Sequence, residues 1–226
     1  MSRLGWIFKA APHLRSCALV LGLCCAMAAW HAHAQSNAHQ HFGKVHLPVA
    51  CNAAVQDEFD LALAMLHTFS FPAAAETFKA VAQKDPDCAM AYWGIAATAI
   101  GSLYGGRPGP IALEGEQAVE KAKAIGGKNA RERDYVATVE VFYKGAETLE
   151  YAARVHAYAN ALKELHRKYP DDREAEIFYA YALSALGTPT DRTFTYELRG
   201  AAILEKLYAE LPDHPGVLHL PPARLR

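Results

Sequence analysis

The residues of this chain that are best suited to chemistry are its histidines. His39, His41 and His46 lie close together near the N-terminus, and His67 is the next histidine along the chain. Neutral imidazoles that meet in a fold can bind zinc, copper or nickel, and short His-rich tracts are typical of metal-binding segments. The spacing of these four matches no defined metal motif. The sequence therefore leaves two interpretations open, a metal site on this segment or a solvated leader.

No pattern typical of an enzyme accompanies these histidines. The sequence contains no H-E-x-x-H, G-x-S-x-G or C-x-x-C-H motif, and its Gly-rich stretch at 105–110 lacks the ending of a phosphate-binding loop. We therefore predict a protein that is not an enzyme and needs no cofactor. The charged runs at 128–134 and 170–176 mix both signs at predicted helix starts, and we interpret them as solvated faces.

The charge balance limits the kinds of partner. The 226 residues include 23 Lys and Arg against 24 Asp and Glu. No basic excess is present to displace counterions from phosphates, so we expect no nucleic-acid binding. The apolar content of 52% supplies a core and excludes an intrinsically disordered chain.

The first 34 residues predict export. Three basic residues precede an uncharged run of 14 residues, Cys17–Trp30, and an A-x-A site at 32–34. This order is typical of a cleavable secretory signal, with cleavage expected before Gln35. The apolar run is shorter than the roughly 20 residues of a membrane span. We expect a periplasmic or secreted protein with no stable membrane span after cleavage, and an uncleaved anchor is the alternative.

Cleavage removes three of the five cysteines and leaves Cys51 and Cys88. Two cysteines in an exported chain favour a disulfide, because the compartment is oxidising. Two buried free thiols are the alternative. Residues 35–50, which contain the histidine cluster, show no periodicity and predict a flexible arm.

From Asn52 onward the pattern is helical. Apolar residues recur at steps of three and four, and no alternating run of β-branched residues interrupts them. Asn52 is the predicted N-cap of the first helix. We predict an all-α chain of about eight helices, the later ones at about 89–100, 111–125, 130–143, 147–169, 172–186 and 196–211.

The helices follow a repeat. Helix ends meet a proline at Pro86, Pro170 and Pro212, spaced by 84 and 42 residues, and half of the longer interval falls just after Gly126-Gly127. Helix pairs at a fixed period are typical of an α-solenoid, in which each pair buries its apolar side against its neighbours. We therefore predict four helix-turn-helix units over residues 51–216.

Individual residues resemble the tetratricopeptide (TPR) family. The pattern A-x-x-x-F at 74–78, followed by Pro86, matches the second half of that repeat, and Y-x-x-I-A-x-x-A at 92–99 resembles its first half. The stretch Cys51–Trp93 is similar to exported bacterial TPR proteins. The resemblance covers most of 45–216, and it implies a scaffold that binds another protein or peptide and seldom carries chemistry.

The resemblance also implies a binding surface, since the first helix of each pair lines the concave side in this family. Aligning the units by their terminal prolines places apolar and aromatic residues at equivalent inward positions. One interpretation is a groove for a partner's helix or extended segment, and the other is packing in the core. The residues are Phe59, Leu63, His67, Trp93, Ala97, Tyr135, Val139, Ile177 and Tyr181.

The C-terminal sequence departs from the repeat. His214-Pro215-Gly216 begins what would be a fifth unit, but two prolines follow at 221–222 where a helix interior is expected. We expect residues 217–226 to form an irregular, truncated tail and the bare apolar end to self-associate. The sequence thus predicts an exported protein-binding scaffold. A periplasmic metal-binding protein that uses the His-rich arm and a nonfunctional remnant of a longer TPR protein are the alternatives.

Overall fold

The computed structural model describes residues 42–104, 112–188 and 190–218, and within them it is all-helical, as predicted. A 3-10 turn, Ala53–Val55, precedes nine helices, and these ranges contain no strand. The predicted signal peptide, residues 35–41 of the predicted arm including His39 and His41, and residues 105–111, 189 and 219–226 lie outside the described residues. The helices are α1 (Gln56–His67), α2 (Phe71–Lys84), α3 (Ala89–Ile100), α4 (Ala112–Ile125), α5 (Ala130–Tyr143), α6 (Tyr151–Lys168), α7 (Arg173–Ser184), α8 (Thr195–Glu210) and α9 (Pro215–Leu218).

Local side-chain chemistry sets the helix boundaries. The Asn52 side chain accepts a hydrogen bond from Ala54 N, so the predicted cap begins the 3-10 turn that leads into α1. Asp172 caps α7 in the same way by accepting from Ala175 N. Helices α2, α6 and α8 end two residues before Pro86, Pro170 and Pro212, where proline disfavours helical backbone in the preceding residue.

Neighbouring helices pack against one another along the chain. Helix α3 lies at the centre, because it contacts α1, α2, α4 and α5 and is buried along almost its whole length. A Cβ added at Gly94 would lie 2.4 Å from the Phe78 ring. Glycine at this position therefore lets the Phe78 ring of α2 contact the backbone of α3 directly.

The last helix contacts the first. Helix α9 packs against α1, α7 and α8, and Val217 is buried in a small apolar cluster with Ile177, Leu204 and Leu207. Beside it, Lys44 N donates to the Asp213 carbonyl over 3.0 Å. The two ends of the described chain therefore meet. None of the helices in the described ranges is long and apolar enough to cross a bilayer.

The segment that leads into the first helix packs on the helices. His46 Nδ1 lies 2.8 Å from Asp60 Oδ2 of α1, and Leu47 is 1% exposed. The Gln56 side chain accepts from Val49 N and donates to the Leu47 carbonyl. The part of the predicted arm that the structure describes is thus held along α1.

A disulfide joins this entry segment to α3, which confirms the predicted pairing. Cys51 precedes the 3-10 turn and Cys88 precedes α3, and their sulfurs lie 2.01 Å apart. The bridge closes a separation of 37 residues that contains α1 and α2.

Candidate functional site

An apolar cavity opens where the ends of α1 and α3 meet α7. Its walls include Leu66, Ile100, Leu103, Tyr158 and Phe178. The enclosed space is about 40 Å³, and about 530 Å³ when the open mouth is included. The enclosed part has room for a few water molecules or the end of one side chain, which is far less than the roughly 300 to 1,000 Å³ of a pocket for a drug-sized ligand.

Phe69 stands at the mouth of this cavity in an unusual backbone conformation. Helix α1 ends in a Schellman motif, in which Ser70 N donates to the Met65 carbonyl and Phe69 N to the Leu66 carbonyl. The motif places Phe69 at a φ of 60°, the position that glycine usually fills. A bulky residue in this region costs about 1 to 3 kcal/mol. The sequence therefore keeps an aromatic ring where glycine would fit with less strain.

Further aromatic rings extend from Phe69 past the opening to Tyr104, which does not line the cavity itself. Its centroid lies 5.8 Å from that of Phe71 and 5.5 Å from that of Tyr181, and Tyr181 lies 5.7 Å from Tyr104. Phe69 is 37% exposed and Tyr104 is 53% exposed. We call these four residues, Phe69, Phe71, Tyr104 and Tyr181, the aromatic rim.

A wider groove adjoins the cavity and shares Leu103 with it. It runs between the start of α6 and the segment 185–197, has a volume of about 740 Å³, and is lined by both apolar and charged residues. Phe194 lies on its wall at a φ of 50°. Among the described residues, Phe69 and Phe194 are the two non-glycine residues with positive φ, and each borders one of these openings.

The structure places the nine predicted concave-face residues mostly in the interior. Eight are buried and Tyr181 is half-buried. Trp93 packs edge-to-face against Tyr135 and Phe178, with centroid distances of 5.3 and 5.6 Å. Four of the nine, His67, Ala97, Ile177 and Tyr181, line the cavity. The other five are Phe59, Leu63, Trp93, Tyr135 and Val139, and their role in partner binding stays a prediction.

Three buried polar residues meet beside the cavity. Glu174 lies between two histidines, with Oε2 2.7 Å from His67 Nε2 and Oε1 2.6 Å from His214 Nε2. The three side chains are 4 to 6% exposed. They come from the last residue of α1, the first turn of α7 and the turn before α9. We call His67, Glu174 and His214 the His-Glu-His cluster.

The electrostatics of the cluster favour an ionised carboxylate. Burial alone would raise the pKa of the Glu174 carboxyl, but the neighbouring His67 and His214 rings outweigh it and hold this pKa well below its usual range. Gly216 packs tightly against the cluster, since an added Cβ would lie 2.6 Å from His67 Nδ1. Its N–H donates to His214 Nδ1 over 3.1 Å, which leaves the proton of a neutral His214 ring on Nε2, facing Glu174.

Two charged runs that the sequence analysis interpreted as solvated faces contain buried residues, so that interpretation was wrong for part of each run. Glu174 is 4% exposed and Glu132 is 2% exposed. Glu132 accepts hydrogen bonds from Ala50 N and Lys128 N, so it joins the entry segment to the start of α5. One signal in the sequence marks Glu174: it precedes the inward-facing Ile177 by three residues and therefore lies on the same helix face.

Of the candidate metal ligands predicted from the sequence, only His67 is observed in the buried cluster. His67 belongs to the cluster, whereas His46 contacts Asp60 in the N-terminal half of α1. His39 and His41 lie outside the described residues. Nothing in the sequence spacing connects His67 with His214, because 147 residues separate them.

Comparison with known proteins assigns neither a family nor a function to these residues. No family model, no curated protein and no solved structure matches the chain.

Proposed function

We propose that the chain is an exported, TPR-type scaffold protein and that its aromatic rim binds an apolar segment of a partner protein. Three features support the repeat arrangement: helices that pack on their neighbours in chain order, a proline after α2, α6 and α8, and the repeat-like patterns at 74–99. Stacked helix pairs commonly present extended binding surfaces. The proposed role is binding, with no chemistry.

The shape of the opening favours a peptide segment as occupant. One apolar side chain of the partner would enter the cavity, and the backbone on either side would lie along the rim and the adjoining groove. The enclosed space suits a side-chain end and is too small for a drug-sized ligand. Exposed aromatic residues such as Tyr104 provide the kind of contact that is enriched at protein interfaces.

The single observation that carries the proposal is the conformation of Phe69. A φ of 60° at a partly exposed phenylalanine costs stability that glycine would recover. Strain of this kind is common at ligand-binding positions, where the side chain has a role outside the fold. Phe69 lines the cavity and is partly exposed, so a partner that enters the cavity would contact it.

Replacing Phe69 by glycine separates binding from folding. Glycine relieves the backbone strain at this position but loses the ring contacts with Phe71 and Tyr181, so we expect F69G to stay within about 1 kcal/mol of the parent in stability. We expect the same variant to lose at least about tenfold in partner binding, since exposed aromatic anchors carry a large share of interface energy. Affinity capture from a bacterial envelope extract, followed by titration of the captured protein, measures this loss.

Tyr208 provides the matched control. It is an aromatic residue on α8 with 52% exposure, nearly that of Tyr104, and it lines neither opening. We expect Tyr104→Ala to weaken binding and Tyr208→Ala to leave it unchanged. Equal binding by F69G, Tyr104→Ala and the parent would contradict the proposed surface.

A separate experiment tests export by identifying the N-terminal residue of the protein recovered outside the cytoplasm. Cleavage at the predicted A-x-A site leaves a chain of 192 residues that begins with Gln35. Intact-mass measurement of the protein from the periplasm or the medium is expected to give this species. A full-length chain recovered only from the cytoplasm or the membrane would contradict export by a cleaved signal.

A further inference from the structure

The geometry points to a divalent transition-metal site at the His-Glu-His cluster, with zinc as the best-fitting ion. This site is distinct from the His-rich arm and from the aromatic rim. Its ligands are His67 Nε2, His214 Nε2 and one carboxylate oxygen of Glu174, and the candidate ligand atoms all lie within 4.8 Å of one another.

The donor set fits zinc. Two imidazole nitrogens and one carboxylate oxygen are among the commonest protein ligands of Zn²⁺ in sites that keep a further coordination position open. All three side chains are buried, so competing water has little access to the ligand atoms. Calcium and magnesium prefer sites made of oxygen ligands, so these donors select against them.

Only a small movement admits the ion. Zinc lies about 2.0 to 2.2 Å from nitrogen and oxygen ligands, which places tetrahedral donors about 3.3 Å apart. The present separations, 2.7 Å from His67 Nε2 to Glu174 Oε2 and 2.6 Å from His214 Nε2 to Glu174 Oε1, are shorter than this by about 0.6 to 0.7 Å, so both imidazoles must move away from the carboxylate.

The protons on the two Nε2 atoms must leave when the ion binds. A neutral imidazole that coordinates through Nε2 carries its proton on Nδ1. For His214 this shift breaks the hydrogen bond from Gly216 N, because both atoms would then be donors. Metal binding is therefore expected to alter the turn from His214 to Gly216, which provides a local signal at α9.

Charge and access both favour an ion here. Glu174 supplies a buried, ionised carboxylate to the cluster. Coordination by a divalent cation supplies the opposite charge. His67 and Gly216 also line the apolar cavity, so the cluster borders an opening to the surface through which an ion can enter.

Calorimetric titration of the full chain with zinc chloride, after removal of bound metal with EDTA, tests the inference. We expect one zinc ion per chain with a dissociation constant below the micromolar range. A variant with His39, His41 and His46 changed to alanine should bind equally well, and so should His156→Ala, which removes an exposed histidine on α6. Failure of the parent to bind, or loss of binding with the arm histidines, would overturn the site.

Glu174→Gln keeps the shape of the side chain and removes its charge. We expect it to weaken zinc binding by more than about 100-fold, since even the loss of a group that supports a ligand costs about 10- to 100-fold. If this variant does not fold, X-ray absorption on the zinc-loaded parent identifies the ligands without any substitution. Two imidazoles with one carboxylate are expected. Sulfur ligands, or binding that persists unchanged in folded Glu174→Gln, would overturn the inference.

Discussion

Replacing Trp93 by alanine is expected to destabilise the protein by about 3 to 5 kcal/mol, the usual cost of deleting a large buried aromatic residue. Trp93 is 1% exposed and packs edge-to-face against Tyr135 and Phe178. Its removal leaves a cavity between α3, α5 and α7 and forfeits both ring contacts. Urea denaturation of the parent and the variant measures the difference in the free energy of unfolding.

Trp93→Phe is the matched control for this substitution. It keeps an aromatic ring and removes the indole N–H, which has no hydrogen-bond partner among the described residues. We expect a smaller loss, of about 1 to 2 kcal/mol. A stable Trp93→Ala protein that has lost only partner binding would instead place Trp93 on an accessible surface and contradict the packing described for α3.

Removing the Cys51–Cys88 disulfide is expected to destabilise the protein by about 4 kcal/mol. The bridge spans a separation of 37 residues. In the chain-entropy model, closing a loop of this length lowers the conformational entropy of the unfolded chain and so stabilises the folded state by about 4 kcal/mol. The double variant Cys51→Ala/Cys88→Ala and the parent under reducing conditions should show similar losses in urea denaturation.

Thiol counting provides the control for the disulfide. If the chain is exported and cleaved as proposed, the denatured protein should show no reactive thiol before reduction, because the chain from Gln35 onward contains only these two cysteines. Two reactive thiols in the unreduced sample, or equal stability of the parent with and without reductant, would contradict the bridge as a stabilising element.

Helices, caps and the disulfide could be predicted from the sequence because they depend on local patterns. The spacing of apolar residues located all eight long helices to within a few residues. Asn52 acts through the backbone of its immediate neighbours. The two cysteines could be paired by elimination, since no other cysteine remains after the predicted cleavage.

The aromatic rim and the His-Glu-His cluster could not be predicted because they depend on contacts between distant segments. His67, Glu174 and His214 meet only because α9 folds back against α1 and α7. In the sequence Phe69 is one more apolar residue three positions after Leu66, and its positive φ and its place in the cavity wall are seen only in the structure. Glu174 resembles a solvated acidic residue at a helix start, and its burial follows from the turn that places His214 over it.

The most direct test of the binding surface is photo-crosslinking from its rim in living cells. A photoreactive phenylalanine analogue is introduced at position 104, on the rim, or at position 208, which has nearly the same exposure. We predict that the analogue at position 104 crosslinks to one defined protein through an apolar segment, and that the analogue at position 208 does not. No crosslink from position 104, or the same products from both positions, would contradict a partner-binding role for the aromatic rim.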